Sequence, residues 1–376
     1  MPELNRRELA AAAAGGVLVA AAAETPGPPL APPDRQPPDL KLPQPVRKAG
    51  YAIVGLGKLS VEEILPAFGS ARRSRAAALI SGHPDKARQL AQVYGVAPGS
   101  LYGYDDYRRL RDDKDVDIVY IVLPNSMHAD HTIRALEAGK HVLCEKPMAT
   151  TPAECERMIA AAKAANRKLM IAYRIHFEPH NLRAVEAAKG MGGIRSFAST
   201  NAQTTTAPNI RLSKALGGGP VGDTGVYSFN TARMFLNEEP VEVTAREWRP
   251  AGDPRFREVP ASVSYTLRYP SGVVAHCDTS FNAAESRFYR VTCADGVVHM
   301  DSAFSYHGQQ LRLTAKDGTQ IPRIRAIDQF AAEMDHFSDV VLDGGTVRTP
   351  GEMGLADQRI IAAIGEAART GRPVRL

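Results

Sequence analysis

Tyr51-Ala-Ile-Val-Gly55-Leu56-Gly57-Lys58-Leu59-Ser60 opens as a short apolar strand and breaks into a glycine turn, and a helical pattern of Val61, Ile64, Leu65 and Phe68 follows. Strand, glycine turn and helix in that order are what a dinucleotide pyrophosphate site requires. Gly55 permits the tight turn, and Gly57 lets the backbone approach a pyrophosphate at the helix N-terminus. The expected cradle is therefore Gly55, Leu56, Gly57, Lys58 and Leu59. Ser60 stands where a third glycine usually sits, a small departure. The alternation continues with strands at 76–81, 116–123, 141–145 and 168–173 and helices at 84–94, 128–138 and 152–165. Repeated βαβ units predict an α/β fold whose N-terminal Rossmann domain, a doubly wound parallel sheet, spans 48–173.

The end of the second strand reads Leu79-Ile-Ser81-Gly82-His83-Pro84-Asp85-Lys86. An NAD site places an acid there, hydrogen-bonded to the ribose 2′-hydroxyl. Here a serine takes that place and a lysine follows soon after. An acid would repel a 2′-phosphate, whereas Ser81 can donate to it and Lys86 can neutralise it. This turn, with Gly82, predicts NADP(H). The alternative is Asp85 as a displaced ribose acid, and His83 could pack on the adenine.

The chain has 376 residues, 44% hydrophobic and 23% charged, which fits about two domains. A net charge of +5 is mild, and no basic run with interleaved aromatics suggests nucleic acid. Arg72, Arg73 and Arg75 read as a solvated loop. Asn5-Arg6-Arg7-Glu8-Leu9 precedes an Ala/Gly/Val run from Ala10 to Ala23, too short and too weakly apolar to span a membrane. Residues 1–23 therefore resemble a twin-arginine export signal, which predicts use of the twin-arginine machinery, a mature start near Glu24 and a periplasmic location. The alternative is an Ala-rich amphipathic helix. Residues 24–47 are expected to form a proline-rich arm, since so many prolines disfavour a helix or a central strand. Cys144, Cys155, Cys277 and Cys293 have no zinc or CxxC spacing and read as inert core thiols.

Beyond about residue 190 the period becomes that of strands, at 241–248, 261–268, 272–281, 287–293, 296–301 and 310–314, with helical patterns at 327–342 and 352–370. A large, mostly antiparallel sheet is expected to form the body of a C-terminal α/β domain over 174–376. Such a sheet hides one face under helices or against another subunit, so a homodimer is expected. His176 and His180 are spaced like helix neighbours, but no carboxylate stands in metal spacing, and no metal site is expected.

Lys146 remains, in His141-Val-Leu-Cys-Glu145-Lys146-Pro147. A lysine at the end of a buried parallel strand sits where ligands bind in an open α/β sheet. Its alternative is a loop charge beside Glu145. Lys146 is joined by Leu123-Pro124-Asn125-Ser-Met-His128, Tyr173-Arg174, and Gly217-Gly-Gly219 leading to Asp223-Thr-Gly-Val-Tyr227. Together with the glycine turn these segments resemble the glucose–fructose oxidoreductase and inositol dehydrogenase family, over roughly 47 to 373. The likeness is strongest to its exported branch, the glucose–fructose and aldose–aldose oxidoreductases. The resemblance implies a tightly bound NADP(H) and sugars as substrates. It puts Lys146 beside the nicotinamide and the sugar's reacting carbon, and Tyr227 where most members have a histidine. It also implies cofactor contacts from Leu123, Pro124, Asn125, His128, Glu145, Lys146, Arg174 and Arg211. Tyr173, Arg174, Asp223 and Tyr227 are the implied substrate contacts, with Lys146.

The chemistry of the pairing is workable. A phenol, with a pKa of about 10, is a poor base at neutral pH, and an adjacent ammonium favours its ionised form. Tyr227 is therefore expected as the acid–base group, Lys146 as its activating cation, and Asp223 as the residue that orients them or holds a sugar hydroxyl. Alternatives remain: Tyr227 as a packed aromatic, Asp223 as a helix cap, and Asn125 and His128 as caps of the next helix. The expected reaction oxidises a cyclic aldose at C1 to the lactone and reduces a second sugar to an alditol. Fructose as the acceptor, an ordinary NADP-dependent sugar dehydrogenase, a glycosidase using transient oxidation, and a non-catalytic sugar sensor are the rivals.

Overall fold

The computed structural model describes residues 46–376. The predicted export signal, and the proline-rich arm as far as Pro45, lie outside the described residues. The first sheet has six parallel strands: β1 (Ala49–Val54), β2 (Ser74–Ile80), β3 (Leu101–Tyr102), β4 (Ile118–Ile121), β5 (His141–Glu145) and β6 (Leu169–Ala172), in the order β3-β2-β1-β4-β5-β6. All residues of β1, β4 and β6 are buried, as a parallel sheet covered on both faces demands. Strand order reverses between β1 and β4, and the crevice at that switch point is where this architecture receives a ligand.

The second sheet has nine strands: β7 (Ile194–Thr204), β8 (Glu242–Trp248), β9 (Ser262–Arg268), β10 (Val274–Ser280), β11 (Asn282–Cys293), β12 (Gly296–Asp301), β13 (Gln310–Ala315), β14 (Gly318–Gln320) and β15 (Val374–Arg375). Their order is β14-β13-β12-β11-β7-β10-β9-β8-β15. Every pairing is antiparallel except the central β7–β10 pair, which is parallel. One face carries Val243, Ala245, Tyr265, Leu267, Cys277 and Val291 into the core; the other exposes Thr244, Arg246, Ser264, Arg268, His276 and Arg290.

The central strand β7 does not follow apolar alternation, and sequence periodicity passes over it. Its inward Ser199 and Asn201 are buried but satisfied, Ser199 Oγ by Ser228 Oγ at 2.8 Å and by the Phe288 carbonyl, Asn201 by donating to the Thr224 carbonyl at 2.9 Å. These bonds anchor the turn Val221–Gly225 and the helix Val226–Leu236, which carry Asp223 and Tyr227.

The helix Gln329–Leu342 returns to the first sheet. Its Phe330, Met334 and Phe337 join Tyr51, Ile53 and Tyr120 in one apolar cluster, and the Tyr51 hydroxyl donates to the Met334 carbonyl at 2.7 Å. Arg73 corrects the expectation of a solvated arginine cluster. It binds Asp339 at 2.6 Å and also Asp343, while the backbone N–H groups of Arg72 and Arg73 donate to Asp335. The guanidinium clamps this helix to the start of β2. All four cysteines are free and buried, and burial pushes the Cys155 thiol up to about 12.

Candidate active site

The carboxyl ends of β1, β2, β4, β5 and β6 open into a cavity of about 960 Å³, walled on its far side by the second sheet and by residues 203–227. Gly55, with φ +91°, makes the first turn; a Cβ there would lie 2.3 Å from the Val122 carbonyl oxygen. Gly57 faces open space, so its missing side chain leaves room for a pyrophosphate against the backbone. Ser60 occupies the third small position without cost: fully buried, its hydroxyl donates to the Gly55 carbonyl at 2.5 Å and closes the turn.

The second-strand residues complete the cradle. Ser81, His83 and Lys86 line the cavity, and Ser81 Oγ accepts from the His83 N–H at 3.0 Å. The Lys86 ammonium reaches back to the Leu56 carbonyl, so it stands at the rim of the glycine turn. Asp85 pairs with Arg88 in solvent and does not line the cavity. Hydroxyl, imidazole and ammonium without a carboxylate fit an anionic 2′-phosphate. Gly82 lies against the Tyr104 ring, which takes its place on the wall.

Leu123, Pro124, Asn125 and His128 also line the cavity, but two of them are engaged in holding loops. Asn125 Nδ2 donates to the Gly217 carbonyl at 2.8 Å, which ties the switch-point loop to the segment from the second domain. His128 is buried, with its ring nitrogens 2.9 Å from the Pro147 and Leu123 carbonyls.

Lys146 follows β5 directly. Its Nζ donates to the Asp223 carbonyl at 2.9 Å, lies 3.6 Å from Asp223 Oδ1 and stands 4.8 Å from the Tyr227 ring centre. Burial alone would lower this ammonium's pKa, but Tyr227, Asp223 and Glu145 outweigh it and hold the pKa above its ordinary value. Asp223 Oδ2 accepts from Arg211 Nε at 2.6 Å. Burial works to raise the Asp223 carboxyl, but Arg211 and Lys146 hold it below the usual range, so it remains a carboxylate. Arg174 lies between two phenols, 5.0 Å from the Tyr227 ring and 4.6 Å from that of Tyr306, and donates to the Phe304 carbonyl and Gln329 Oε1.

One expected contact is displaced. Tyr173 is buried in the core with its ring 6.1 Å from that of His176, and it does not line the cavity. The chain turns at Tyr173 as it leaves β6, so Arg174, not Tyr173, reaches the cavity. His176 bonds Asn230 and His180 bonds Glu178, each at 2.7 Å, so the two imidazoles serve different partners. Sequence reasoning missed Tyr306, Phe330, Gln203, Arg287 and Tyr104 on the cavity wall. They come from loops, from β7 and β11 and from the helix Gln329–Leu342, with no spacing to single them out. Burial, with the neighbouring Tyr227, pushes the Tyr306 phenol up to about 12.

A six-stranded Rossmann sheet with a dinucleotide cradle, facing a cavity that gathers lysine, tyrosine and aspartate, defines a nucleotide-dependent oxidoreductase. The chain belongs to the GFO/IDH/MocA oxidoreductase family: its NAD-binding Rossmann part matches over residues 49–173 and its C-terminal domain over 180–299. It is an NAD(P)-dependent sugar oxidoreductase. The crystal structure of aldose–aldose oxidoreductase from Caulobacter crescentus, complexed with glycerol, is 42% identical, with a TM-score of 0.85 over 88% of this chain and 100% of that one. D-xylose 1-dehydrogenase (NADP(+)) 2 of Haloferax volcanii is 32% identical over 87% of this chain and 99% of its own length. A 3-ketoreductase from Actinomadura kijaniata, solved with NADP and TDP-benzene, is 26% identical with a TM-score of 0.76, over 85% of this chain and 98% of its own.

Proposed function

We propose that this protein is a periplasmic oxidoreductase of the aldose–aldose kind, which keeps its NADP(H) between turnovers, oxidises a cyclic aldose at C1 to the lactone and reduces a second aldose to an alditol. The observation that carries the reading is the approach of Lys146 to Tyr227, 4.8 Å from ammonium to ring centre, in the cavity that begins at the glycine turn. The likeness to the Caulobacter enzyme supports the choice of substrates.

Gly55, Gly57, Ser81 and Lys86 would hold the cofactor, whose nicotinamide supplies a hydride acceptor for the first sugar and a donor for the second. Tyr227 Oη takes the C1 hydroxyl proton of the first sugar as the C1–H bond breaks. The Lys146 ammonium stabilises the negative charge on that oxygen, and Arg174, 5.0 Å from the same ring, adds a second positive charge. Asp223 is held as a carboxylate by Arg211 and Lys146, so it accepts from a sugar hydroxyl and fixes the lysine and is not itself the base. In the second half Tyr227 returns the proton to the carbonyl oxygen of the acceptor, as microscopic reversibility requires.

The Asn5-Arg6-Arg7 sequence ahead of an uncharged run supports export. A periplasmic enzyme has no nucleotide pool to draw on, which favours a retained cofactor. The broad polar face of the second sheet supports a homodimer. The test is spectroscopic. Purified, gel-filtered protein should release NADP(H) on denaturation, and a first aldose should raise the near-ultraviolet absorbance of reduced nicotinamide, which a second sugar then removes. Nucleotide-free protein that works only with added NADP would be an ordinary dehydrogenase and would overturn the reading.

A further inference from the structure

Behind Lys146 lies a second buried carboxyl group that the steps above do not use. Glu333, on the helix Gln329–Leu342, is fully buried, and its Oε2 has no hydrogen-bond partner. Its Oε1 is 3.4 Å from the Tyr120 hydroxyl, which donates to Glu145 Oε1 at 2.8 Å. Glu145 Oε2 in turn accepts from the Lys146 backbone N–H at 3.3 Å. The clamped helix, β4 and β5 thus deliver Glu333, Tyr120 and Glu145 to one line that ends at the cavity.

Proton counting decides what this line does. A phenol has one proton, and Tyr120 places it on Glu145, the nearer carboxyl group. Two ionised carboxylates around one hydroxyl in a dry site repel each other. The groups facing the pair are Lys146 and the Tyr306 phenol on the Glu145 side, Arg174, and the phenols Tyr51 and Tyr120. Burial pushes the Glu333 carboxyl well above the ordinary range, and the charge of Glu145 adds to it, against Arg174 and Tyr120. Burial raises Glu145 above its ordinary value too, but there Lys146 and the Tyr120 hydrogen bond oppose the rise and favour the carboxylate.

We propose that Glu333 is a positioning residue for the proton transfer at Tyr227: as a neutral acid it donates to the Tyr120 oxygen, strengthens that phenol's donation to Glu145, and confines the pair's one negative charge to the carboxylate beside Lys146. The inference rests on the reading in which Lys146 assists proton transfer at Tyr227. Glu333→Leu, which has no donor, should lower kcat about 2- to 10-fold without raising the sugar KM, the effect of one buried hydrogen bond. Glu333→Gln, which keeps an N–H donor, should recover most of that loss; equal losses in both variants would overturn the proposal. Independently of turnover, the wild-type protein at neutral pH should show the infrared C=O stretch of a protonated carboxylic acid that Glu333→Gln lacks. Identical spectra would overturn it as well. Normal turnover in Tyr227→Phe would overturn the catalytic reading instead, and the infrared band tells the two failures apart.

Discussion

Lys146 donates through Nζ to the backbone carbonyl of Asp223 at 2.9 Å, which ties the end of β5 to the turn that starts the helix Val226–Leu236. The two residues are 77 positions apart, one directly after β5 and the other in the turn Val221–Gly225. The bond fixes the lysine where its charge meets Tyr227, and it makes the reacting geometry a property of how the two halves of the chain pack. Arg211 holds the same aspartate from its side-chain end, so the lysine's carboxylate partner is not free to swing.

Tyr227→Phe removes the acid–base proton but little volume. Turnover should fall roughly 10²–10⁴-fold with the cofactor still bound. Lys146→Met should do comparable damage, because the Tyr227 oxygen loses the cation that stabilises its charge. Steady-state kinetics across pH check both, and near-normal turnover in the Phe variant would mean that another residue moves the proton.

The glycine turn separates folding from binding. Gly55→Ala forces a left-handed residue and a Cβ into the Val122 carbonyl, so it should cost about 1–3 kcal/mol of stability or more. Gly57→Ala meets open space and should leave the melting temperature nearly unchanged while cofactor affinity drops, because the methyl takes up the room left for the pyrophosphate. Melting curves with and without NADP distinguish the two.

Ser81→Asp places a carboxylate where a 2′-phosphate is expected. The ratio of NADP to NAD affinity should fall about tenfold or more, the cost of opposed like charges at contact. Titration of each nucleotide measures it, and an unchanged ratio would remove Ser81 from cofactor selection.

The Rossmann half was legible because its strands are buried on both faces and read as unbroken apolar runs; the helix Pro84–Tyr94 and the strand β5 fall at the expected bounds. What stayed hidden was polar and long-range. The strand β7 fills inward positions with Ser199 and Asn201, which periodicity scores as loop, yet their hydrogen bonds carry the Asp223–Tyr227 turn. Arg73 looked solvated because its partner Asp339 lies 266 positions away. Tyr306 and Glu333 belong to no motif and approach the lysine only through folding. Asp85, a rival for the ribose, was set aside by direction alone, since it points to Arg88.

Glu333 makes a stability prediction with a definite sign. A carboxyl whose folded pKa is raised takes up a proton on folding, so its contribution worsens as pH climbs above the ordinary carboxyl value. Glu333→Gln removes that dependence. Its melting temperature relative to wild type should change little at about pH 4 and gain increasingly towards about pH 8. A gain that shrank with rising pH would mean the carboxyl is ionised in the folded protein.

Alternation on a retained cofactor is tested most directly by counting products. Purified protein is incubated with a single aldose and no added nucleotide, and aldonic acid and alditol are quantified over many turnovers. Equal amounts of the two, rising together, are expected, with ping-pong kinetics when a second sugar is varied. Turnover that stops without added NADP, or acid formed with no matching alditol, would contradict that alternation.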